Sequence, residues 1–216
     1  MNIAVIGSGG HSKVISDMIL SNKDYHLIGY LDEKYEHIRL VEDTFCGPIS
    51  SAKRLIGHFK DIKFVMGIGD NKTRQIIVRK LNLPNEYYVT VKHKSAIISP
   101  SSKIGFGTVI MPNVVINANT KVGVHSIINT GSIIEHDSII GDFTHVCPRA
   151  TLTGNVQLDE GSFVGAGATI IPNIHINDWA IIGAGATVIH DIPSYCTAVG
   201  IPAMVKKTNQ IRVEVN

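Results

Sequence analysis

The sequence predicts a two-part protein, an α/β domain over residues 1–90 followed by an all-β parallel β-helix over 95–193, with an exit segment and tail at 194–216. Three observations carry this prediction. Strand-like and helix-like stretches alternate through the first part, the pattern of a parallel sheet with crossover helices. From Ile98 the apolar spacing changes to an unbroken period of six, which neither a helix nor a hairpin generates. The composition, 44% hydrophobic and 18% charged, is that of a folded chain rather than a disordered one.

In the first part, "NIAVIG" is a short apolar strand ending in glycine, and "HSKVISDMILSN" spaces Val14, Ile15, Met18 and Ile19 as a helix does. "YHLIGYLDE" and "IKFVMGIG" are two further strands. "SSAKRLIGHF" and "NKTRQIIVRKLN" are the helices between and after them, the second stopped before Pro84.

In the second part, sixteen positions from Ile98 to Val188, stepped by six, are all Ile, Leu or Val. The residue four further on is Ser, Thr or Ala in twelve of the sixteen repeats. Two inward positions per six residues, one large and one small, build a narrow core from stacked short strands, and the remaining residues make corners. Hexapeptide periodicity of this kind is the mark of a parallel β-helix.

Several function classes drop out. A net charge of +2 without a long basic run gives no footprint for nucleic acid. Cys46, Cys147 and Cys196 are far apart and odd in number, without a CxxC, the usage of a reducing compartment. "MNIAVIGSGGH" has no basic n-region, and no apolar run approaches the roughly 18 residues of a membrane span. The expectation is a cytoplasmic protein with no membrane span and no metal.

Chemistry concentrates in "IIEHDSIIGDFTHV", residues 133–146. In hexad phase Ile134 points inward, Glu135 follows, and His136 and Asp137 take the corner, from which side chains project. Ala118 lies one coil before His136 and Gly154 one coil after, which leaves room beside the imidazole. An imidazole can take a proton from an attacking amine or hydroxyl near neutral pH, and an adjacent carboxylate fixes its tautomer. Asp137 is the preferred partner and Glu135 the alternative.

The tract resembles the hexapeptide-repeat acyltransferases, and "IIEHDSIIGDFTHV" is similar to the "VIEHE…IGEFSHV" of bacterial nucleotide-amino-sugar acetyltransferases. That group includes the enzymes of bacillosamine synthesis and the related sialic acid O-acetyltransferases. The resemblance covers essentially the full length. It implies a left-handed β-helix of triangular coils, a small Rossmann-like amino-terminal domain and a homotrimer. It also implies acetyl-CoA as co-substrate and a nucleotide-activated amino sugar as acceptor, for a surface polysaccharide or glycan. By the same resemblance His136 is the general base and Asp137 its acidic partner. His145 would touch acetyl-CoA, and Ala166 and Ala184, in "VGAGA" and "IGAGA", would line the pantetheine groove together with Gly154. The family stretch it resembles carries Glu after the histidine where this chain has Asp137, a shorter side chain that leaves Glu135 in play.

In "GSGGHS" the glycines let backbone N–H groups approach a phosphate at a helix N-terminus. Ser12 occupies the place of the third glycine of the dinucleotide fingerprint, and Asp32 ends the second strand, where an acidic ribose ligand sits. The reading is a nucleotide diphosphate sugar rather than NAD. The resemblance places Gly9, Gly10, His11, Asp32 and Glu33 at that ligand, and Gly69 ends the third strand, where ligands of such sheets bind. Rival readings are a sugar O-acetyltransferase, a hexapeptide-repeat carbonic anhydrase using His125, His136 and His145, and a silent sugar-nucleotide-binding scaffold. Cys147, one residue past an inward position, is not required by the direct mechanism.

Overall fold

The computed structural model describes residues 1–41 and 44–208. The chain divides into two compact units, Met1–Lys92 with Phe106–Val109, and His93–Gly105 with the chain from Ile110 onward.

The first unit is built on a five-stranded sheet. Its elements are β1 (Asn2–Ile6), α1 (Gly10–Leu20), β2 (His26–Leu31), β3 (Arg39–Val41), β4 (Thr44–Gly47), α2 (Ala52–His58), β5 (Ile62–Met66) and α3 (Asn71–Leu81). The strand order is β3-β4-β2-β1-β5. All pairings are parallel except β3 with β4. The three predicted strands and three predicted helices are present, whereas β3 and β4 were not anticipated. They are a short edge addition, and β3 is exposed throughout, so it lacks the apolar run that marks a buried strand. In α1 Ile15, Met18 and Ile19 face the core while Val14 is exposed. Ala4, Ile6, Leu31, Leu55, Phe64 and Met66 form the centre of the core. Gly67 is set by packing, since a Cβ there would fall 2.7 Å from both Ser12 Cβ and Val5.

The second unit is the parallel β-helix. Sixteen two-residue strands, Ile97–Ile98 through Thr187–Val188, stack in three parallel sheets, and each pairs with the strand eighteen residues before it, after it or both. Faces one, two and three of the coil carry, for example, Ile133–Ile134, Ile139–Ile140 and His145–Val146. From Ile110 to Val188 every repeat aliphatic is buried, as is every partner position from Thr108 to Ile192. Ile98 and Ile104, at the first rungs, are half-buried. Hydroxyls in the core are tolerated because they reach carbonyls of the neighbouring coil, as in Ser126 Oγ to the Gly141 carbonyl, 2.9 Å, and Thr120 Oγ1 to the Glu135 carbonyl, 3.1 Å.

The corners turn through left-handed residues, which Gly and Asn adopt at least cost. Each corner has its own chemistry. Between faces one and two stand Asn119, Asp137, Asn155 and Asn173, with φ of 60, 60, 58 and 64°. Between faces two and three stand Gly107, His125, Phe143, Gly161 and Trp179, and between faces three and one Asn113, Gly131, Arg149, Gly167 and Gly185. Cys196–Val199 continues face three parallel to Ile181–Ile182, and Met204–Thr208 returns antiparallel to it. Among the described residues no helix is long and apolar enough to cross a membrane.

Candidate active site

The imidazole of His136 projects from the polar corner, with 61% of its side chain exposed. Its Nδ1–H donates to Asp137 Oδ2 at 2.8 Å. Asp137 therefore holds the imidazole, and Glu135 does not. The Glu135 carboxylate instead accepts from Asn117 Nδ2 at 2.7 Å. The left-handed backbone of Asp137 turns its short carboxylate back along the corner to its neighbour. The shorter side chain thus reaches without the extra methylene. Two hydrogen bonds, the larger contribution from His136 and the second from Asn119, hold the Asp137 carboxyl below the ordinary carboxylate range. With Nδ1 committed as donor, Nε2 is left as the acceptor nitrogen. Nε2 has no partner among the described residues.

Gly154 belongs to this corner. A Cβ built on it would lie 2.8 Å from both Cε1 and Nε2 of His136. The missing side chain is thus the seat of the imidazole, and the glycine's presence follows from the ring beside it. Asn119, which donates from Nδ2 to Asp137 Oδ1 at 3.1 Å, was not singled out from the sequence. The signal was available, because stepping back eighteen residues from Asp137 lands on it.

His145 takes the outward position of its strand, as its spacing requires, yet it is only 8% exposed. Phe163, its partner one coil on, packs edge-on at 5.3 Å, and Asn129 Nδ2 donates to His145 Nε2 at 3.0 Å. Ala166 and Ala184 lie at the third corner, across face one from His136. Both are exposed, and Gly167 and Gly185 beside them would meet nothing within 4 Å if given a Cβ. Such a stripe of small residues leaves its backbone bare. Within one chain the structure therefore brings His136, Asp137 and Gly154 together, and it leaves Ala166 and Ala184 on the other edge of face one. His125, the remaining histidine of the metal-enzyme rival, is stacked on Phe143 at the aromatic corner, ring centroids 5.3 Å apart.

In the first unit, Gly9 is the N-cap of α1 and lacks a side-chain cap, and Gly10 opens the helix. Neither glycine is required by packing, since a Cβ at either would meet nothing within 4 Å. That open space at a helix N-terminus suits an anionic ligand. Asp32 braces this loop, its Oδ2 accepting from Ser8 N at 2.8 Å and Ser8 Oγ at 2.7 Å, while Oδ1 accepts from Lys34 N at 3.1 Å. Glu33 is exposed and pairs with Lys80 at 3.1 Å. His11 is half-buried. Burial first, and the charge of Arg74 second, push it down to about 4, so the ring is neutral. Arg74 is itself buried, and it donates to the carbonyls of Ile68 and Gly69 at 3.0 and 3.2 Å and to Asn71 Oδ1 at 2.9 Å. It thereby fixes the turn that carries Gly69.

A stacked coil of hexads with an imidazole–carboxylate pair at an open corner, joined to a small α/β domain with a glycine loop, defines the class of hexapeptide-repeat acyltransferases. Comparisons with known proteins narrow the class. The PglD N-terminal domain matches residues 2–81. The UDP-N-acetylbacillosamine N-acetyltransferase of Bacillus subtilis is 42% identical over 110 residues, an alignment that spans 51% of this chain and only 51% of that relative. PerB from Caulobacter crescentus, solved with CoA and GDP-perosamine, superposes with a TM-score of 0.86 at 31% identity, over 96% of this chain and 98% of PerB. The acetyltransferase domain of PglB from Neisseria gonorrhoeae gives 0.83 at 29% identity, over 95% and 99%. The chain belongs to the family of left-handed β-helix nucleotide-sugar N-acetyltransferases that these proteins represent.

Proposed function

We propose that this protein transfers the acetyl group of acetyl-CoA to an amine of a nucleotide-activated sugar, with His136 as general base. The observation that carries the reading is the single bond of His136 Nδ1 to Asp137, which leaves Nε2 unprotonated and outward beside Gly154. The amine nitrogen attacks the thioester carbonyl carbon, and Nε2 takes the proton that the nitrogen sheds. The C–S bond then breaks, and the coenzyme thiolate leaves as the thiol after taking that proton back. Asp137 stays ionised and stabilises the imidazolium. No covalent enzyme intermediate is needed.

The glycine loop at Gly9 and Gly10, with His11, Asp32, Glu33 and Gly69, would hold the nucleotide part of the acceptor. Ala166 and Ala184 would line the path of pantetheine, with His145 and Gly154 contributing to the coenzyme site. Because His136 and the alanine stripe occupy opposite edges of face one, a second copy must supply one of them. This supports a homotrimer with sites between subunits. A reducing cytoplasm suits three unpaired cysteines, and the product would enter a surface polysaccharide or exopolysaccharide.

The experiment is to incubate the protein with acetyl-CoA and a panel of nucleotide amino sugars and follow thiol release. Turnover with an amino sugar that is lost in His136→Ala supports the reading. Turnover of hydroxyl acceptors alone would move the enzyme to O-acetylation. Silence across the panel, or undiminished turnover in His136→Ala, overturns it.

A further inference from the structure

We infer that Asn119 is a positioning residue for the acetyl transfer, acting on His136 through Asp137. The inference rests on the proposed role of His136 as base and adds a residue to it. Both members of the His136–Asp137 pair are more than half exposed, 61% and 52%. A pair so open to water has little hold on its own geometry, because solvent competes for each partner and both side chains are free to rotate. Something must fix the carboxylate from its other side.

Asn119 does so. Its Nδ2 donates to Asp137 Oδ1 at 3.1 Å, while Oδ2 of the same carboxylate receives the imidazole Nδ1–H at 2.8 Å. One oxygen is clamped from the coil below and the other is aimed at the base. Asn119 is anchored in turn. Its backbone N–H donates to Ser101 Oγ at 2.9 Å, and that hydroxyl bonds Ser99 Oγ at 3.0 Å. Its left-handed backbone, φ 60°, repeats that of Asp137, so the two side chains leave the corner in the same direction, one above the other.

The corner is an amide ladder interrupted once. Asn155 Nδ2 donates to Asn173 Oδ1 at 2.9 Å two rungs further on, a purely structural bond between neutral groups. At Asp137 the ladder carries a carboxylate, which no structural amide stack needs. The amide of Asn119 can only donate to it, so the orientation of the rung is set. The catalytic consequence is a tautomer. With Asp137 held, Nδ1 of His136 stays protonated and Nε2 stays free. With Asp137 released, the proton can sit on either nitrogen, and a fraction of the enzyme presents N–H where a base is needed.

The test compares Asn119→Ala with Asn173→Ala, which breaks a ladder bond remote from Asp137. Asn119→Ala is expected to lower kcat about tenfold or more, the scale of one hydrogen bond to a charged group. KM for both substrates should stay within about twofold, and Asn173→Ala should leave kcat unchanged. In an Asp137→Ala background Asn119→Ala should add no further loss, since its effect runs through the carboxylate.

Nitrogen-15 NMR of the His136 ring gives a readout that does not depend on turnover. The Nδ1–H form should dominate in the parent and give way to a mixture in Asn119→Ala. An unchanged tautomer in Asn119→Ala, a full kcat, or an equal loss in the Asp137→Ala background overturns the inference. A parent enzyme that releases no thiol with any acceptor overturns the proposed function and with it the catalytic part of the inference, and a tautomer shift in Asn119→Ala then leaves only the hold of Asn119 on the His136–Asp137 pair.

Discussion

Two corners of the same solenoid each carry a histidine, and the two rings have opposite fates. At the polar corner His136 stands in solvent against a carboxylate at 2.8 Å. At the aromatic corner His125 is 1% exposed, stacked on Phe143 with the ring planes 12° apart. Both corners turn by the same left-handed step, and both use a glycine to seat a ring: Gly154 under His136, and Gly161 under Trp179. Two things differ: His125 is itself the left-handed residue of its corner, whereas His136 precedes the left-handed Asp137, and the residues eighteen positions away are not alike. An aromatic ring one coil on turns a corner histidine into core; a glycine on one side and an alanine on the other leave it accessible. In a solenoid the neighbours that decide a side chain's environment are those one coil away, since each repeat packs only on the next.

The largest effect that separates the corners is loss of the exposed ring. His136→Ala should cut kcat by about 100- to 10,000-fold, the range of a general base, without lowering the thermal midpoint, because the ring buries little. An equally disabled His125→Ala with unchanged stability would erase the distinction.

The two glycine seats sharpen it. In Gly154→Ala the new methyl arrives 2.8 Å from the imidazole, but the obstacle is the free end of a side chain, which swings aside. The expected result is a fall in kcat of about 10- to 100-fold at unchanged stability, measured by thiol release and thermal melting. In Gly161→Ala the methyl strikes the Trp179 ring, and the backbone there is left-handed, φ 71°. That variant should lose about 1–3 kcal/mol of stability and keep its turnover. Reversal of the two outcomes would show that the polar corner is structural and the aromatic one functional.

The β-helix was legible because its signal is redundant. Sixteen repeats in register fix both inward positions, and burial follows them almost rung for rung. The hand of the helix came only from resemblance, since no side-chain pattern encodes it. His136, Asp137 and their corner were legible because the hexad phase assigns corner positions. The choice between Asp137 and Glu135 was not, since it depends on which way a left-handed residue throws its carboxylate. The burial of His145 was also hidden, since outward spacing along a strand says nothing of Phe163 across the rung. The edge strand β3 escaped because three exposed residues carry no period, and β4 because its four residues, two half-buried and then two buried, do not alternate.

A third histidine extends the comparison to the other unit. His11 is pushed down to about 4, chiefly by burial and then by Arg74, against an ordinary value of 6.5. Its folded form is neutral, so between pH 6.5 and 4 the unfolded chain binds the extra proton. Stability from this group is present above pH 6.5 and is lost as the pH falls toward 4. Denaturant melts at pH 7 and pH 5 should differ by about 2 kcal/mol from this residue, and His11→Gln should remove that part of the slope. A slope unaffected by His11→Gln would mean that the ring is solvated like His136 rather than shielded like His125.

The smallest expected effect concerns Cys147, nine residues before Val156 and just past the inward Val146. It is the cysteine nearest in sequence to the candidate base. Burial pushes its thiol up to about 12, and its exposure is 6%. At pH 8 only about one molecule in ten thousand would carry the thiolate. A covalent acetyl-enzyme route would need that thiolate near the imidazole. Cys147, however, sits at the turn between faces three and one, whereas His136 sits between faces one and two. Cys147→Ala should therefore keep kcat within about twofold, and rapid mixing with acetyl-CoA alone should show no burst of thiol. A burst that disappears in Cys147→Ala would mean that the reaction passes through the protein, and that the open corner assists a nucleophile located elsewhere on the coil instead of activating the acceptor itself.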